Sequence, residues 1–406
     1  MKYLFLAPQP FLRERGTPLR ARNILTALGE LGHEVDLLCY PFGEPARLPH
    51  VRILRSARVP GVRDVGIGPS FAKLLLDLPF ALRGTALALA RGYDAIQAVE
   101  EAGLFAWIPA RLRRRPLVYQ MDSWISEQLV FSGFATRGPA LALARRLERI
   151  AMRSAALVIT VGPDHAEQVR RLAPRTAVLI LPDTPPDERF QPDEEGARRW
   201  RERLGLSAGP CVVYTGNLEP YQGVDLLVGA AGRLAEDWPA LRVVVVGGRP
   251  DQIERLRASA RELGAGSVCV FAGSLPPSEM PAFLTLADVL VSPRCRGRNP
   301  PMKIYHYLQT GRPLLATRVP THTQVLHDGI AQLAEPDPAA LANALRDLLA
   351  DPALARQLAA AAREEFDRRY SWPRFRERLA RAAEIARAAE NRRAGAGGGD
   401  GGDDGT

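Results

Sequence analysis

The sequence lacks paired cysteines. Its four cysteines are scattered along the 406-residue chain, at Cys39, Cys211, Cys269 and Cys295. This spacing excludes a disulfide framework and a cysteine-based zinc cluster, and it indicates a reducing compartment.

Long hydrophobic runs are missing as well. The apolar residues 1–7 end at Pro8 without a small-residue cleavage site, so we interpret them as a first core strand rather than a signal peptide. The most apolar longer segment covers residues 71–90. Its interruptions are Lys73, Asp77, Pro79 and Arg83. The sequence therefore predicts no membrane span.

Residues with the spacing of metal ligands are also absent. His33, His322 and His327 show no spacing typical of metal ligands, and the aspartates of the glycine-rich end form no calcium loop. No segment interleaves basic and aromatic residues in the manner of a nucleic-acid-binding motif. We expect no metal and no nucleic-acid partner.

Positive charge, by contrast, is abundant. The formal net charge is +9, and two segments supply much of it, residues 111–115 (RLRRR) and 145–153 (RRLERIAMR). Such charge suits an anionic membrane surface, nucleic acid or phosphorylated ligands. The arginine-rich composition of a high-GC genome explains it equally well, so charge alone does not select a partner.

Short apolar runs alternate with helical patterns through the chain. The first series of predicted strands covers residues 3–7, 35–39, 51–54, 95–98, 117–119, 157–160 and 177–181. The second series covers residues 211–215, 241–246, 268–271, 289–291 and 314–317. Because β–α–β alternation requires parallel strands with covering helices, the sequence predicts an α/β fold of two Rossmann-like, doubly wound domains that face a central cleft.

A proline-rich segment separates the two series. We predict an N-terminal domain at residues 1–182, a linker with a charged helix at 183–209, and a C-terminal domain at 210–370. A last helix, 371–393, has one apolar face and is expected to pack back on the N-terminal domain. Residues 394–406 are too poor in apolar side chains to fold, so we expect a disordered tail.

Residues 289–317 form the most informative stretch. An apolar strand leads into a polar loop and then into a short helix over 302–310, with Asn299 as its N-cap and Pro300 or Pro301 at its first position. Such a step directs free N–H groups and the positive helix end to the carboxyl edge of the sheet, where anions bind. The cations there are Arg294, Arg296, Arg298 and Lys303. We interpret the stretch as a phosphate site, with an unliganded scaffold step as the alternative.

Other loops are expected to enter the same ligand cleft. They cover residues 8–17, 121–127, 216–223 and 247–249. Gly16 and Gly216 permit close approach of the backbone to a ligand, and plain turn glycines are the alternative for both. The candidate contacts on these loops are Arg15, Gly16, Thr17, Gly216, Asn217, Gln222, Gly248 and Arg249.

Several segments carry a family resemblance through their order and spacing. They are RGTPLR (15–20), LGHEVDLL (31–38), YTGNLEPYQGVDLL (214–227), VVVVGG (243–248), FAGSLPPSEM (271–280), LADVLVSP (286–293) and KIYHYLQTGRP (303–313). Over about residues 1–375 the chain resembles the family 4 glycosyltransferases of the two-Rossmann-domain (GT-B) architecture.

The resemblance implies transfer of a sugar from a nucleoside-diphosphate donor, held mainly by the second domain, to an acceptor on the first. It implies retention of the anomeric configuration and no metal or other cofactor beyond the nucleotide sugar. In the family, the loop equivalent to residues 216–223 and the helix that starts near Pro301 hold the diphosphate. We expect a glycan or lipid-linked acceptor and a cytoplasmic location, with the basic segments touching the inner face of an anionic membrane.

This chain departs from the family pattern at several positions. The usual basic pair of the 216–223 loop is replaced by Asn217 and Gln222, and the usual glutamate pair falls on Arg298 and His306. The common His-Asp pair after a first-domain strand reads Met121-Asp122. The 216–223 loop lacks this positive charge, but four cations stand in the 289–317 stretch, namely Arg294, Arg296, Arg298 and Lys303. We therefore hypothesise that Lys303, with Arg294 and its neighbours, holds the diphosphate.

Individual roles follow from this hypothesis. Lys303 and Asp122 are the candidate catalytic residues, and for Asp122 a cap of the helix after Ser123 is the alternative. Asn299 is a further donor contact, and His306 would contact the ribose, with an exposed helix residue as the alternative. Tyr307 would stack on the base or else lie in the core. A nucleotide-sugar epimerase and a non-catalytic binding protein on the same architecture are the competing functions.

Overall fold

The computed structural model of the protein describes residues 1–11, 16–43, 47–66, 70–186, 190–206 and 208–395. The chain divides into two compact units, Met1–Asp183 with Pro373–Thr406, and Thr184–Trp372. Arg15 and the predicted disordered tail from residue 396 onward lie outside the described residues.

The first unit is built on a seven-stranded parallel sheet. Its strands are β1 (Lys2–Leu6), β2 (Glu34–Cys39), β3 (Val51–Arg55), β4 (Ala95–Val99), β5 (Leu117–Met121), β6 (Leu157–Thr160) and β7 (Ala177–Ile180). Their order across the sheet is β3-β2-β1-β4-β5-β6-β7. The order reverses between β1 and β4, and ligands of such sheets bind beyond the carboxyl ends of strands at this switch point.

Helices connect these strands. They are α1 (Gly16–Glu30), α2 (Phe71–Ala90), α3 (Gly103–Leu112), α4 (Ile125–Phe131), α5 (Pro139–Ser154) and α6 (Pro163–Leu172), with a short 3₁₀ turn at Glu100–Ala102. Every residue of β4 and β5 is buried. Parallel strands covered on both faces are continuous apolar runs in sequence, which is why the apolar runs located these strands.

The second unit contains a six-stranded parallel sheet. Its strands are β8 (Cys211–Thr215), β9 (Arg242–Val246), β10 (Cys269–Gly273), β11 (Val289–Ser292), β12 (Leu314–Thr317) and β13 (Gln332–Ala334). The order is β10-β9-β8-β11-β12-β13, so the switch point lies between β8 and β11. Strand β13 was not predicted, because three residues are too few to show a pattern.

The remaining helices complete the fold. They are α7 (Glu194–Arg203), α8 (Val224–Leu234), α9 (Pro250–Glu262), α10 (Met280–Leu286), α11 (Met302–Thr310), α12 (Pro320–Thr323), α13 (Pro338–Ala350), α14 (Pro352–Arg369) and α15 (Trp372–Gly395), with 3₁₀ turns at Pro220–Gln222 and Pro277–Glu279. The charged helix α7 packs within the second unit, since the Trp200 ring lies 4.9 Å from that of Phe283 and its Nε1 donates to Glu279 at 2.7 Å. Two parallel sheets with these helices confirm the predicted α/β class.

Helix α15 packs almost entirely within the first unit. Its buried residues include Phe375, Leu379, Ala382 and Ala386. Ion pairs join Arg376 to Glu30 and Glu390 to Arg115. None of the described helices combines the length and apolarity that crossing a bilayer requires.

Candidate functional site

Two loops of the second unit meet beside the switch point between β8 and β11. The backbone N–H of Cys295, after β11, donates to the carbonyl of Tyr221, after β8, at 3.0 Å. Gly223 has a φ of +67°, and a Cβ there would lie 2.1 Å from the carbonyl oxygen of Pro293. Only glycine permits this approach, so the sequence itself brings the two loops together.

Lys303 extends from the first turn of α11 into this junction. Its Nζ donates to Oε1 of the buried Gln222 at 3.2 Å and lies 3.8 Å from the centroid of the Tyr214 ring. Gly216 lies against the ammonium group, since a Cβ at this position would stand 2.7 Å from Nζ. The lysine is thus held by an amide, a ring face and a glycine, none of which neutralises its charge.

Arg294 adds a second positive charge to the junction. Its Nε donates to the carbonyl of Arg296 at 2.9 Å and its Nη1 to that of Asn299 at 3.2 Å, while the guanidinium lies 5.1 Å from the centroid of the Tyr221 ring. Within the described residues, neither Arg294 nor Lys303 contacts a carboxylate. Burial, and then the neighbouring Arg294, hold the pKa of Lys303 well below its usual range. Two half-buried cations without a counter-ion attract an anion.

Helix α11 covers Met302–Thr310 as predicted, but its N-terminal cap differs from the prediction. It starts at Met302 with Pro301 in the N-cap position, and no side chain among the described residues caps it. The N-cap prediction for Asn299 is wrong, because a residue that precedes proline is disfavoured in helical geometry and Pro300 precedes Pro301. The uncapped first turn leaves N–H groups and the positive helix end available to an anion beside Lys303.

The turn after β9 approaches the same region. Gly247 has a φ of +115°, and a Cβ there would lie 2.0 Å from the carbonyl oxygen of Gly216. Gly248 follows with a φ of +89°. Arg249, in contrast, is exposed, and it pairs with Glu219 at 2.9 Å and with Asp251 at 3.3 Å. Its charge is therefore already compensated in this conformation.

A buried histidine that the sequence did not single out supports the Arg294 loop. His322 Nδ1 lies 2.8 Å from the carbonyl oxygen of Thr317, so Nδ1 carries the proton and Nε2 accepts from the Ser292 hydroxyl at 2.9 Å. The Thr317 hydroxyl in turn donates to the carbonyl of Arg294. Burial lowers the pKa of His322 to about 4. Its hydrogen-bond partners lie on other segments, so no local signal marks it.

This environment predicts an acid-dependent loss of stability. Unfolded His322 binds a proton near pH 6.5, whereas folded His322 binds it only near pH 4. The free energy of unfolding therefore falls as the pH falls from 6.5 toward 4. The free energy of unfolding should fall by about 2 kcal/mol between about pH 8 and pH 5 on this account. Urea denaturation of His322→Gln should lack that contribution, whereas Ser292→Ala, which keeps the imidazole, should retain it. Equal pH dependence in wild type and His322→Gln would contradict it.

The other predicted residues of α11 occupy different environments. His306 is half-buried one turn beyond Lys303. Tyr307 is fully buried, and its hydroxyl accepts from the Thr215 N–H at 2.9 Å. Of the two alternatives for Tyr307, the structure supports the core position, because its ring is fully buried. Arg296 and Arg298 are exposed.

Asp122 belongs to a buried network of hydrogen bonds in the first unit. Arg20 donates from Nε to its Oδ1 at 2.8 Å and from Nη1 to Asp183 at 2.6 Å, and the Gln120 amide donates to Asp122 at 2.9 Å. The cap interpretation is wrong, since α4 begins at Ile125 with Trp124 as its N-cap. The carboxylate is buried and engaged, so the geometry gives no support to a catalytic Asp122.

Glu100 is a further residue that the sequence did not single out. It follows β4 at the switch point of the first sheet and has a φ of +46°, a conformation that non-glycine residues seldom adopt. Its carboxylate accepts from the Ser123 hydroxyl at 2.6 Å, and burial together with Glu101 raises its pKa to about 7. Glu100 can therefore exchange a proton near neutral pH. Gly16 and Thr17 begin α1, which follows β1 at the same switch point.

Among the described residues, no group of three or more His, Cys, Asp or Glu side chains is placed to hold a metal ion. The cationic site formed by Lys303, Arg294 and the α11 N-terminus has the charge and the N–H donors to bind a phosphorylated ligand.

Comparison with known proteins identifies two family regions in the chain. The profile described as "Glycosyl transferase 4-like domain" matches residues 15–184, and the one described as "Glycosyl transferases group 1" matches residues 209–351. The first region falls almost entirely in the first unit and the second region in the second unit.

Curated relatives carry transferase names. A GDP-mannose-dependent alpha-(1-6)-phosphatidylinositol monomannoside mannosyltransferase of Mycolicibacterium smegmatis is 34% identical over 221 residues, 52% of this chain and 56% of that protein. A D-inositol 3-phosphate glycosyltransferase of Acidothermus cellulolyticus is 34% identical over 180 residues, 42% of this chain and 39% of that protein. The matched segments thus span about half or less of these relatives.

Solved structures match over a larger share. Anabaena Alr3699/HepE in complex with UDP has a TM-score of 0.74 at 18% identity, covering 95% of this chain and 100% of that one. Sucrose-phosphate synthase from Thermosynechococcus elongatus has a TM-score of 0.75 at 23% identity, covering 96% and 99%. At these identities the likeness establishes the shared fold.

Proposed function

Because the chain belongs to the family 4 glycosyltransferases of the GT-B architecture, we propose that it transfers a sugar from a nucleoside-diphosphate donor to a glycan or lipid-linked acceptor. The names of its relatives support a nucleotide-sugar donor and an acceptor of this class. The proposal places the reaction at the cytoplasmic face of a membrane, where exposed arginines of the two basic segments, among them Arg113 and Arg145, would meet anionic lipid.

The observation that carries the proposal is the cationic site of the second unit. Lys303 and Arg294 lie close together without a carboxylate among the described residues, next to the uncapped start of α11. A diphosphate supplies the negative charge that this site lacks, and it accepts hydrogen bonds from both cations and from the helix N–H groups. We assign Lys303 and Arg294 to the diphosphate, with Gly216, Asn217, Gln222 and Asn299 around it, and His306 to the ribose.

The chemistry follows from this placement. When the bond between the anomeric carbon and the phosphate oxygen breaks, negative charge accumulates on the departing diphosphate. Lys303 and Arg294 would stabilise that charge more strongly than the charge of the intact donor, which lowers the barrier to transfer. The acceptor hydroxyl forms the new bond to the anomeric carbon and passes its proton to the departing diphosphate oxygen. We propose retention of configuration and a reaction without metal, and we propose the carboxyl edge of β1 and β4, with Gly16, Thr17 and Glu100, for the acceptor.

A non-catalytic binding protein is the second candidate, favoured by one observation. Arg298 and His306 stand where the family usually has its glutamate pair, and Arg298 is exposed. A protein that kept the phosphate site and lost those carboxylates would bind a nucleotide sugar without cleaving it.

A donor panel tests the proposal. Wild-type protein is incubated with UDP-glucose, UDP-N-acetylglucosamine and GDP-mannose, and release of nucleoside diphosphate is measured without added acceptor. We expect slow hydrolysis of one donor, lowered at least about tenfold in Lys303→Met, because one charged contact to the leaving group is lost.

Other outcomes contradict transfer. Conversion of the donor sugar without release of nucleotide would identify an epimerase. Tight binding without cleavage of any donor, with or without a lipid-extract acceptor, would identify the binding protein.

A further inference from the structure

Helix α2 exposes an apolar face to solvent. The residues on this face and their exposed fractions are Phe71 77%, Leu74 54%, Leu75 56%, Leu78 65% and Leu82 66%. They recur at spacings of three and four, which places them along one side of the helix. The opposite side is the one that packs on the sheet, through Leu76, Phe80, Gly84 and Ala88. The helix is therefore apolar on both sides, and one of them meets solvent.

Neighbouring residues extend the exposed face, and the helix charges do not interrupt it. The Phe71 ring lies 5.1 Å from that of Phe134, which is itself 36% exposed. Lys73 is turned inward to pair with Glu101, and Asp77 accepts a hydrogen bond from Tyr40 at 2.5 Å. A contiguous patch of this kind on a soluble protein marks a surface that another apolar phase covers.

The rim of this face is basic. Arg55, Arg58 and Arg63 line a pocket of about 630 Å³, together with the apolar side chains of Phe42 and Val62. No carboxylate is among the described residues that line it. Arg83, the exposed charge of α2, donates to the carbonyl of Arg55 and so joins the pocket to the helix. A polar rim of guanidinium groups beside an apolar stripe suits a phosphate-bearing apolar surface.

We propose that the α2 face docks on an anionic lipid bilayer. The five apolar side chains of the face enter the boundary between headgroups and acyl chains, and Arg58, Arg63 and Arg83 contact lipid phosphates. The charge of the protein favours an anionic bilayer as the partner of this face, because the chain carries a net charge of +9 and the rim of the face is formed by arginines. Shape agrees, since a convex stripe spanning residues 71–82, about 17 Å at 1.5 Å per residue, lies flat on a surface rather than in a groove.

The inference rests on the proposed function for its link to a lipid acceptor: docking on the bilayer would bring the first unit next to lipid-linked acceptors. It differs from contact by the segments 111–115 and 145–153, which carry charge but lack an apolar stripe of this length. Membrane docking itself does not depend on the transfer reaction.

Vesicle binding of the full chain tests the proposal. Cosedimentation is measured with phosphatidylcholine vesicles that contain, or lack, about a third of phosphatidylglycerol. Wild type should bind the anionic vesicles, and Leu74→Glu/Leu78→Glu should lower the partition coefficient at least about tenfold. Arg58→Gln/Arg63→Gln should weaken binding to anionic vesicles and reduce its salt dependence. Leu263→Glu is the matched control, since Leu263 is 51% exposed in the second unit and should leave binding unchanged.

The proposal is overturned if wild type does not bind anionic vesicles, or if Leu74→Glu/Leu78→Glu binds them as well as wild type does. Sedimentation velocity without vesicles adds a third outcome. Self-association of wild type that the double variant abolishes would overturn docking on lipid and show that a second copy covers the face. Nucleoside-diphosphate binding in vesicle-free buffer separates the two proposals. If the protein binds nucleotide and does not bind vesicles, only membrane docking is overturned. If it binds vesicles and does not bind nucleotide, only the proposed function is overturned.

Discussion

Replacement of Lys303 with methionine is expected to weaken nucleoside-diphosphate binding by about tenfold to a hundredfold, the loss of one charged hydrogen bond. The same change should raise the free energy of unfolding of the ligand-free protein by about 1–2 kcal/mol. The two effects have opposite signs because the ammonium is held without a counter-ion until a phosphate arrives. Isothermal calorimetry with UDP and GDP, and urea denaturation without ligand, measure them separately.

The matched control for this change is Arg257→Met. Arg257 is an exposed cation on α9 that pairs with Glu254 at 2.7 Å. Its replacement should leave nucleotide binding unchanged and alter stability by less than about 0.5 kcal/mol. If Lys303→Met destabilises the ligand-free protein and leaves binding intact, Lys303 is a structural donor to Gln222 and not a phosphate ligand.

The second large effect is expected at Arg20. Its replacement with methionine leaves the buried carboxylate of Asp122 and the half-buried carboxylate of Asp183 without their cation, and the free energy of unfolding should fall by about 3–5 kcal/mol. Urea denaturation followed by circular dichroism measures the loss. The control is Arg171→Met, whose pair with Glu167 is exposed and should contribute less than about 1 kcal/mol.

The Asp122→Asn variant distinguishes a structural role of Asp122 in the Arg20 network from a catalytic role. Arg20 keeps its bonds to Asp183 and to the carbonyl of Leu181 in this variant, so a smaller loss of about 1–3 kcal/mol is expected. The rate of donor hydrolysis by folded protein should stay within about threefold of wild type, well short of the effect of removing a general acid or base. A fall of about a hundredfold or more with stability preserved would restore the catalytic assignment.

Local signals explain what the sequence predicted well. Strands such as β4, β5 and β8 are apolar almost throughout because both faces of each sheet are covered. Arg294 and Lys303 stand within ten residues of each other on one strand–loop–helix step, so their convergence could be predicted from spacing. The glycines of the β8 and β9 turns were likewise recognisable, because such close approaches admit no side chain.

Long-range partners explain what the sequence did not show. Arg20 lies 102 residues before Asp122, so nothing near Asp122 indicates its ion pair. No local pattern marks the positive φ of Glu100, and the ring nitrogens of His322 bond to Thr317 and Ser292, which lie on two different strands. Asn299 is not the N-cap, because the two prolines that follow it place the N-cap at Pro301. The predicted cleft between the domains stays a prediction, as do the acceptor and the sugar.

NMR of the lysine side chains measures the charge state of Lys303 with and without nucleotide. Lys2, Lys73 and Lys303 are the lysines of the sequence, so the ¹³Cε resonances of lysine-labelled protein can be assigned by substitution and titrated with pH. The pKa of Lys303 is expected to lie well below the usual lysine range in the free protein and to rise when UDP or GDP is added, because the diphosphate provides the missing negative charge. A pKa of Lys303 that does not change at saturating nucleotide would contradict the assignment of this site to a diphosphate.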